Sequence, residues 1–364
     1  MKLEGRKMVY ILTFQRALNY GAILQCYALY KTISGITDCR VLEYSCYSIN
    51  KRYRLLSSNL SIKNFLKALL MWGDTLKKKR KFSDFISQNI KMTKSYTKDG
   101  LFAEIWKETD QFVVGSDQVW NWELTEEDST FFFDFVPESN CKISYAASIG
   151  LKVEECRAEY FKQKLTSFKA ISVRESTAYD NLKSIGISCI ESIDPVFLLN
   201  QTDWEDISTK VEKEDIPYVL IYLLQKNDSF EKKAVEYAKS QGKRLVIISN
   251  GVKRKYKAEY ISSCAPNEFI RYFLKAETIF TNSFHGISFS VLFKKDFFYE
   301  LQGNGVKTNS RLNDIVELFG LQSRDSSKMG EIGRGKPIDY GQIGEITNRK
   351  RNEAIGYLST YIYK

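Results

Sequence analysis

The stretch TNSFHGISFS, residues 281–290, contains the only histidine of the 364-residue chain, His285. An imidazole exchanges protons near neutral pH, so this side chain is a candidate general acid or base. Gly286 beside it would let a ligand approach the backbone closely. The alternative is a histidine that only caps its own loop, and the stretch by itself leaves both interpretations open. A metal site built on several imidazoles is excluded, and no metal site is predicted.

A second polar turn, VVGSDQVWNW (113–122), follows an apolar run of strand length. Asp117 in this turn could accept a proton from a hydroxyl group or hydrogen-bond a sugar. The two tryptophans of the turn could stack on a sugar ring or pack in the core. The alternative for the turn is structural, because Ser116 and Asp117 also suit the cap of a helix that begins at Gln118.

Two further turns offer a cation and amide groups. ISVRES places Arg174 at the end of a strand-like run, and a guanidinium grips carboxylate or phosphate through two parallel hydrogen bonds. The alternative is a salt bridge to Glu175 or a surface role. NYGAILQ gives Asn19 and Gly21 a tight turn with Gln25 about one helical turn on, and turn chemistry alone is the alternative. No turn reads G-x-G-x-x-G or G-x-x-x-x-G-K-[ST], so dinucleotide or nucleoside-triphosphate binding of the usual kind is not supported.

The elements that must position these residues repeat one pattern: an apolar run of strand length, a short polar turn, and apolar residues at helical spacing. Strand-like runs are predicted at residues 8–14, 111–114, 170–174, 218–224, 244–249, 278–281 and 296–300. Strands that alternate with helices indicate an α/β fold with parallel sheets covered on both faces. Ligands bind beyond the carboxyl ends of such strands, which is where the turns with Asn19, Ser116, Asp117, Arg174 and His285 fall.

The length favours two domains. The charged stretch NQTDWEDISTKVEKEDIP follows the apolar DPVFLL and predicts a boundary near residues 200–216. We expect an N-terminal domain over residues 1–205 and a second α/β domain over residues 215–340. A basic insertion of one or two amphipathic helices is predicted at about residues 50–108, where core packing and membrane docking both stay open. A C-terminal helix, residues 341–364, is expected to pack back across the boundary.

Composition limits the class of protein and its partners. The seven cysteines are scattered without a C-x-x-C pair, which fits neither a disulfide framework nor a zinc site. No apolar run reaches the roughly 18 to 20 residues of a membrane span, and no signal-peptide pattern is present, so a cytoplasmic chain is predicted. The net charge of +10 indicates an acidic partner, such as a phosphorylated substrate or an anionic membrane surface, or simply a basic solvated surface. No recognised nucleic-acid motif accompanies the charge, so no nucleic-acid partner is expected.

Taken together, these motifs resemble the polysaccharide pyruvyl transferase family. The resemblance rests on NYGAILQCYAL, VVGSDQVWN, ISYAASIG, ISVRES, DPVFLL and TNSFHGISFSVLF, in that order, and on NSRLNDIVELFGLQSR, residues 309–324. It covers the chain from about residue 8 to residue 324.

The resemblance implies an α/β fold of two facing Rossmann-like domains, like the GT-B fold of glycosyltransferases, with the acceptor side in the first domain and the donor side in the second. The implied activity moves pyruvate from phosphoenolpyruvate to two hydroxyls of a sugar, forming a cyclic ketal and releasing phosphate. The implied acceptor is a polymeric or lipid-diphosphate-linked precursor of a bacterial capsule or exopolysaccharide. No cofactor is implied, because phosphoenolpyruvate is a co-substrate. Peripheral contact with the inner membrane face would suit the basic segment LLMWGDTLKKKRKF.

The resemblance also implies residue roles. His285 matches the family histidine and is assigned as the general acid, acting on the methylene carbon or the leaving phosphate, with Asp117 as a base or sugar ligand. The predicted donor-binding residues are Arg174, Asn282, Ser283, Gly286 and Arg311. The predicted acceptor-binding residues are Asn19, Tyr20, Gly21, Gln25, Ser116 and Gln118.

One position departs from the family pattern. Some members carry an arginine two residues before the histidine, and this chain has Ser283 there. Arg311 or a lysine must then hold the donor, or the donor differs. Two other classes stay open from the sequence: a glycosyltransferase that uses a nucleotide-sugar on the same fold, and a non-catalytic polysaccharide-assembly or nucleic-acid-binding protein.

Overall fold

The computed structural model describes residues 7–52, 62–208, 216–249, 254–301, 309–330, 332 and 337–362, with the backbone alone over residues 62–71. The chain forms two compact units. The first unit comprises Met1–Arg54, Asp84–Leu199 and Asn348–Lys364, and the second comprises Leu55–Ser83 and Asn200–Thr347. The domain bounds predicted from the sequence, and the docking of the C-terminal helix across the boundary, stay predictions.

The first unit is built on a parallel sheet of five strands, in the order β3-β2-β1-β4-β5. These strands are β1 (Val9–Leu12), β2 (Cys39–Tyr44), β3 (Met92–Tyr96), β4 (Gln111–Val114) and β5 (Cys141–Ser144). A parallel pair, β6 (Ser172–Val173) and β7 (Ile190–Glu191), follows β5 through single bridges at Ala170 and Val173. Every residue of β4 is buried, as expected for a strand covered on both faces.

Helices lie between the strands of the first unit, because parallel strands need a crossover connection. The first seven helices of the chain are α1 (Tyr20–Ser34), α2 (Tyr47–Arg52), α3 (Ile62–Asn89), α4 (Lys98–Phe102), α5 (Trp122–Thr125), α6 (Glu155–Leu165) and α7 (Ser176–Ser184). The part of α3 before Asp84 belongs to the second unit, where Lys81 donates to Glu268 at 2.7 Å.

The second unit repeats the same topology with the strand order β10-β9-β8-β11-β12, again parallel throughout. Its strands are β8 (Tyr218–Tyr222), β9 (Arg244–Ile248), β10 (Glu259–Ile261), β11 (Thr278–Thr281) and β12 (Asp296–Tyr299). Its helices are α8 (Gln201–Ile207), α9 (Asp228–Ser240), α10 (Pro266–Lys275), α11 (Phe284–Leu292) and α12 (Asn309–Leu318). A last helix, α13 (Tyr340–Ile362), begins in this unit and ends in the first.

These sheets confirm the predicted fold class, an α/β chain with two Rossmann-like sheets. Each of the seven predicted strand runs contains an observed strand, and the runs at 111–114 and 278–281 match β4 and β11 in full. Among the described residues, no helix combines the length and the apolar character that crossing a membrane requires.

Two local features differ from what the sequence suggested. The alternative of a helix that begins at Gln118 is not observed: the next helix, α5, begins at Trp122 and is capped by the Asn121 side chain. The region from about 50 to 108 contains the long helix α3, but it also contains residues 92–96, which form β3, the edge strand of the first sheet. That strand is largely polar and half exposed, so it lacks the apolar run that indicates a strand in sequence. Residues 53–61 of this region lie outside the described residues.

Candidate functional site

The turn between β11 and α11, with the first turn of α11, lies at the carboxyl edge of the second sheet and contains the predicted acid His285 and three predicted donor-binding residues, Asn282, Ser283 and Gly286. Ser283 caps α11, since its backbone is extended and its hydroxyl accepts a hydrogen bond from the Gly286 amide at 3.3 Å. His285 is the second residue of the helix and is 9% exposed. Its ring lies edge-on to Phe284, with centroids 5.1 Å apart. The first turn of a helix combines amide donors with a partial positive charge, so an anion is favoured beside His285.

The Asn282 side chain fixes this turn to the neighbouring strand connection. Its Oδ1 accepts a hydrogen bond from the Leu224 amide at 2.8 Å, and its Nδ2 donates to the Gln225 carbonyl at 2.7 Å. Both partners follow β8, which pairs with β11 in the sheet. Asn282 therefore holds two strand ends together at the site, and its amide group already satisfies backbone groups of this connection.

Gly286 is required for packing. A Cβ at this position would lie 2.1 Å from Thr281 Oγ1 and 2.9 Å from Thr281 Cβ, far inside contact distance. The Thr281 hydroxyl donates to the Tyr222 carbonyl at 2.7 Å and accepts from the Ser283 amide at 3.1 Å. The structural reason for a glycine here is thus the close approach of α11 to the end of β11, whereas the sequence had suggested the close approach of a ligand.

Arg311, the second predicted donor-binding cation, lies in the same unit as His285. It lies in the first turn of α12, and α12 packs against α11. Arg311 is half-buried. That a cation from outside the β11–α11 turn takes the place of the arginine missing at Ser283 stays a prediction.

A buried carboxylate that sequence reasoning missed, Glu300, lies at the end of β12. Its Oε1 accepts from Lys233 Nζ at 2.8 Å and from Ser326 Oγ at 2.7 Å, and its Oε2 accepts from Asn227 Nδ2 at 2.9 Å. Asn227 also caps α9 in the connection that Asn282 fixes. No sequence pattern indicates this network, because its members lie up to 99 residues apart, from Asn227 to Ser326, and none belongs to a recognisable motif.

In the first unit, the predicted acceptor residues Gln25 and Ser116 meet in a buried network at the carboxyl ends of β1 and β4. Gln25 Oε1 accepts from the Ser116 amide at 3.1 Å, and Gln25 Nε2 donates to Thr13 Oγ1 at 3.0 Å and to the Ala22 carbonyl at 2.8 Å. Thr13 Oγ1 in turn donates to the Ser116 carbonyl at 2.9 Å. Gln25 and Ser116 are both fully buried, so this network fixes the strand ends.

Arg174 joins that network and is bound to a carboxylate. Its NH1 donates to Asp194 Oδ2 at 2.8 Å and to Ser116 Oγ at 3.3 Å, while Glu175 lies farther away, at 3.9 Å from Nε. The side chains of Arg174 and Asp194 are 1% and 0% exposed. Burial lowers the pKa of Arg174, but the charges of Asp194, Glu175 and Asp117 outweigh it, and the net shift is upward. Arg174 therefore stays charged and balances a buried carboxylate.

The other predicted acceptor-binding residues and Asp117 lie in the first unit, in the connections that follow the same strands. Asn19 caps α1, with its Oδ1 accepting from the Gly21 amide at 2.9 Å. Tyr20 and Gln118 are buried. Asp117 has a positive φ of 71°, and its carboxylate accepts from the Gln118 amide at 2.8 Å. Asp117 and Arg174 lie in the first unit, whereas His285 and Arg311 lie in the second.

The described residues contain no group of three or more His, Cys, Asp or Glu side chains placed to hold a metal ion. Hydroxyls, amides, guanidinium groups and one imidazole lie at the two sheet edges, beside carboxylates that are bound to cations or to hydrogen-bond donors. Such groups bind anionic and polyhydroxylated ligands by hydrogen bonds and by charge.

Two Rossmann-like sheets with polar side chains at their carboxyl edges define the class as an α/β protein of the kind that binds small ligands at strand ends. The family model described as polysaccharide pyruvyl transferase matches residues 19–299. The chain therefore belongs to the polysaccharide pyruvyl transferase family, whose members are transferases in polysaccharide pyruvylation. No curated protein matches the chain in sequence.

Several solved structures are similar in outline. A UDP-GlcNAc 2-epimerase from Neisseria meningitidis bound to UDP-GlcNAc has a TM-score of 0.47 at 12% identity, over 96% of this chain and 100% of that one. A UDP-GlcNAc 2-epimerase from Methanocaldococcus jannaschii has a TM-score of 0.43 at 12% identity, over 95% and 99%. An alpha-glucosyltransferase in complex with UDP has a TM-score of 0.46 at 8% identity, over 98% and 96%. The bound UDP-GlcNAc and UDP are ligands of those proteins.

Proposed function

We propose that this protein transfers pyruvate from phosphoenolpyruvate onto two hydroxyls of a sugar, forming a cyclic ketal and releasing phosphate. One observation carries the proposal beyond the family: the only imidazole of the chain, His285, lies in the first turn of α11 at the carboxyl edge of a parallel sheet. A helix N-terminus favours an anionic donor, and an imidazole supplies a proton at neutral pH.

The reaction requires a proton donor at the donor site. A proton adds to the methylene carbon of phosphoenolpyruvate and leaves positive charge on the neighbouring carbon, which a sugar hydroxyl attacks. The C–O bond to phosphate then breaks, and the second hydroxyl attacks the same carbon and closes the ring. Of the two hydroxyl protons released, one balances the proton now in the methyl group and the other leaves with phosphate. We assign His285 as the acid, acting on the methylene carbon or on the leaving phosphate.

The donor anion is held, in this proposal, by the first turn of α11 and by Arg311. Asn282 and Ser283 position that turn, since the Asn282 amide binds the Leu224 and Gln225 backbone and the Ser283 hydroxyl caps the helix. The donor-binding role predicted for Arg174 is less well supported, because its charge is balanced by Asp194. Asp117 as the base stays a prediction.

The proposed acceptor is a sugar of a capsule or exopolysaccharide precursor, carried on a lipid diphosphate. The net charge of +10 supports an acidic acceptor. We propose a cytoplasmic site of action at the inner membrane face. No cofactor other than the co-substrate enters this scheme.

Phosphate release tests the proposal. The purified chain is incubated with phosphoenolpyruvate and a candidate acceptor, and phosphate and the ketal methyl signal are measured together. His285→Ala and His285→Gln should each lower turnover by about 10²–10⁴-fold, the contribution of a positioned acid. Ser290→Ala is the matched control, because it removes a buried hydroxyl of the same helix that donates to the Gly286 carbonyl. Full turnover by both histidine variants would refute the assignment of His285 as the acid.

Ligand-induced stabilisation separates this proposal from a nucleotide-sugar transferase. Phosphoenolpyruvate at 100 times its Kd should stabilise the chain by about 2.7 kcal/mol, whereas a nucleoside diphosphate should give no shift in Tm. The opposite pattern would favour the glycosyltransferase. Absence of phosphate release together with no shift from either ligand would favour a binding protein.

A further inference from the structure

The outward face of helix α3 carries two exposed apolar side chains. Trp72 is 39% exposed and Leu76 is 45% exposed, and the two lie four residues apart, so they share one side of the helix. Exposed apolar side chains that are neighbours on one helix form a contiguous apolar patch that a partner can cover. We call this pair the α3 apolar pair.

A different side of α3 accounts for the packing of the helix. Lys78, Phe82, Phe85 and Ile86 are buried and recur at helical spacing on that side. Core packing therefore explains the buried face and does not explain the α3 apolar pair.

Basic residues border the α3 apolar pair. The helix continues as KKKRK over residues 77–81, and Lys79 and Arg80 follow Leu76 at helical spacing on the same side as the pair, where Arg80 is exposed and Lys79 is half-buried. Lys81 is bound to Glu268 in a bridge of 2.7 Å. One carboxylate, Asp74, lies on the other side of the helix and is half-buried. The exposed face thus combines a tryptophan and a leucine with the positive charge of Lys79 and Arg80.

We propose that this face of α3 docks the protein on an anionic lipid bilayer. Tryptophan prefers the boundary between head groups and acyl chains, leucine enters the apolar side of that boundary, and cations beside them bind anionic head groups. A nucleic acid would use the charge but not the leucine. The charge of +10 over the whole chain acts in the same direction.

Vesicle co-sedimentation of the full chain tests the proposal. The chain should bind vesicles that mix phosphatidylcholine with phosphatidylglycerol and should bind phosphatidylcholine alone much more weakly. Trp72→Ser with Leu76→Ser should lower the partition coefficient at least about tenfold, and Lys79→Gln should lower it about fivefold. Ile105→Ser is the matched control, because Ile105 is 91% exposed but lies in the first unit, away from α3 in sequence, and it should bind as the unchanged chain does.

Tryptophan fluorescence locates the contact. Trp106, Trp120 and Trp204 are buried, and the Trp122 ring is covered by the Arg157 guanidinium at 5.2 Å. Trp72 is therefore the tryptophan that lipids with brominated acyl chains should quench, and Trp72→Phe should abolish the quenching.

Three results would overturn the proposal: no binding to anionic vesicles, equal binding by the double variant, or equal loss in Ile105→Ser. A change of oligomeric state in the double variant, with vesicle binding unchanged, would assign the face to a second copy of the chain instead. The assay contains neither donor nor acceptor, so its outcome is independent of the pyruvyl-transfer proposal. The double variant should also retain phosphate release with an acceptor that lacks a lipid.

Discussion

Replacing Gly286 with alanine should destabilise the second unit although alanine is the better helix former. The added Cβ would lie 2.1 Å from Thr281 Oγ1, 2.9 Å from Thr281 Cβ and 3.0 Å from Thr281 Cγ2, so the whole threonine side chain has to move. Overpacking of this kind costs about 1–3 kcal/mol. Displacing the hydroxyl also breaks its buried hydrogen bonds to the Tyr222 carbonyl and the Ser283 amide, and this loss costs about 1–3 kcal/mol of stability. The better helix propensity of alanine offsets about 1 kcal/mol of this, which leaves a net loss of about 1–5 kcal/mol.

Urea denaturation measures the global loss, and hydrogen exchange of the peptide that covers α11 measures the local one. Gly344→Ala is the matched control, because Gly344 lies in α13 with nothing near the position of an added Cβ, and it should stabilise slightly. The cost of Gly286→Ala should fall by about 2 kcal/mol when Thr281 is already alanine, since two of the three close atoms are then gone.

An unchanged stability in Gly286→Ala would refute the packing argument. So would an equal cost with and without the threonine side chain. If Gly286→Ala folded normally but lost donor affinity alone, the glycine would serve the approach of a ligand, as the sequence had suggested.

Three further changes test the first unit and the buried face of α3. Arg174→Ala should lower the free energy of unfolding by about 3–5 kcal/mol in urea denaturation, because it leaves Asp194 buried without its cation. A smaller loss in Arg174→Ala than in a double variant with Asp194→Ala would show that the two side chains do not form a stabilising pair. Asn19→Ala should lower the unfolding free energy by about 1 kcal/mol through the lost cap, whereas a changed acceptor KM at unaltered stability would mean that the residue binds substrate. Burial lowers the pKa of Lys78 to about 8, so the unfolded state binds more protons between pH 8 and 10.5 and stability should rise with pH there. Lys78→Met should remove that rise, and a parallel pH profile of the two proteins would show that Lys78 is charged when folded.

The repeated strand–turn–helix pattern was enough to predict the fold class and the main strands. Strands buried on both faces are apolar throughout, so runs such as TIFT (278–281) and QFVV (111–114) stand out in sequence. The polar edge strand β3 and the short edge strand β10 lack such runs and were missed, and so were β2, β5 and β7. The alternative of a helix that begins at Gln118 is not realised for a local reason, because Asp117 caps a single amide in a left-handed conformation and Asn121 caps the helix.

The candidate site could be predicted in position but not in its contacts. The sequence placed His285 and Ser283 in one strand-to-helix turn, where they lie. It could not pair Arg174 with Asp194, twenty positions away by number, because only the folded chain brings ISVRES next to DPVFLL. The Glu300 network was not predicted for the same reason, since the partners of Glu300 come from other connections of the second unit.

The single histidine in the first turn of α11 also makes the protein spectroscopically simple. Labelling histidine with carbon-13 gives one imidazole signal in the full chain, without mutagenesis and without assignment. The edge-on Phe284 ring, 5.1 Å away, should displace that signal through its ring current, so any rearrangement of the turn becomes visible in one resonance. Titrating phosphoenolpyruvate, a nucleoside diphosphate or vesicles into such a sample would show which of them reaches the first turn of α11.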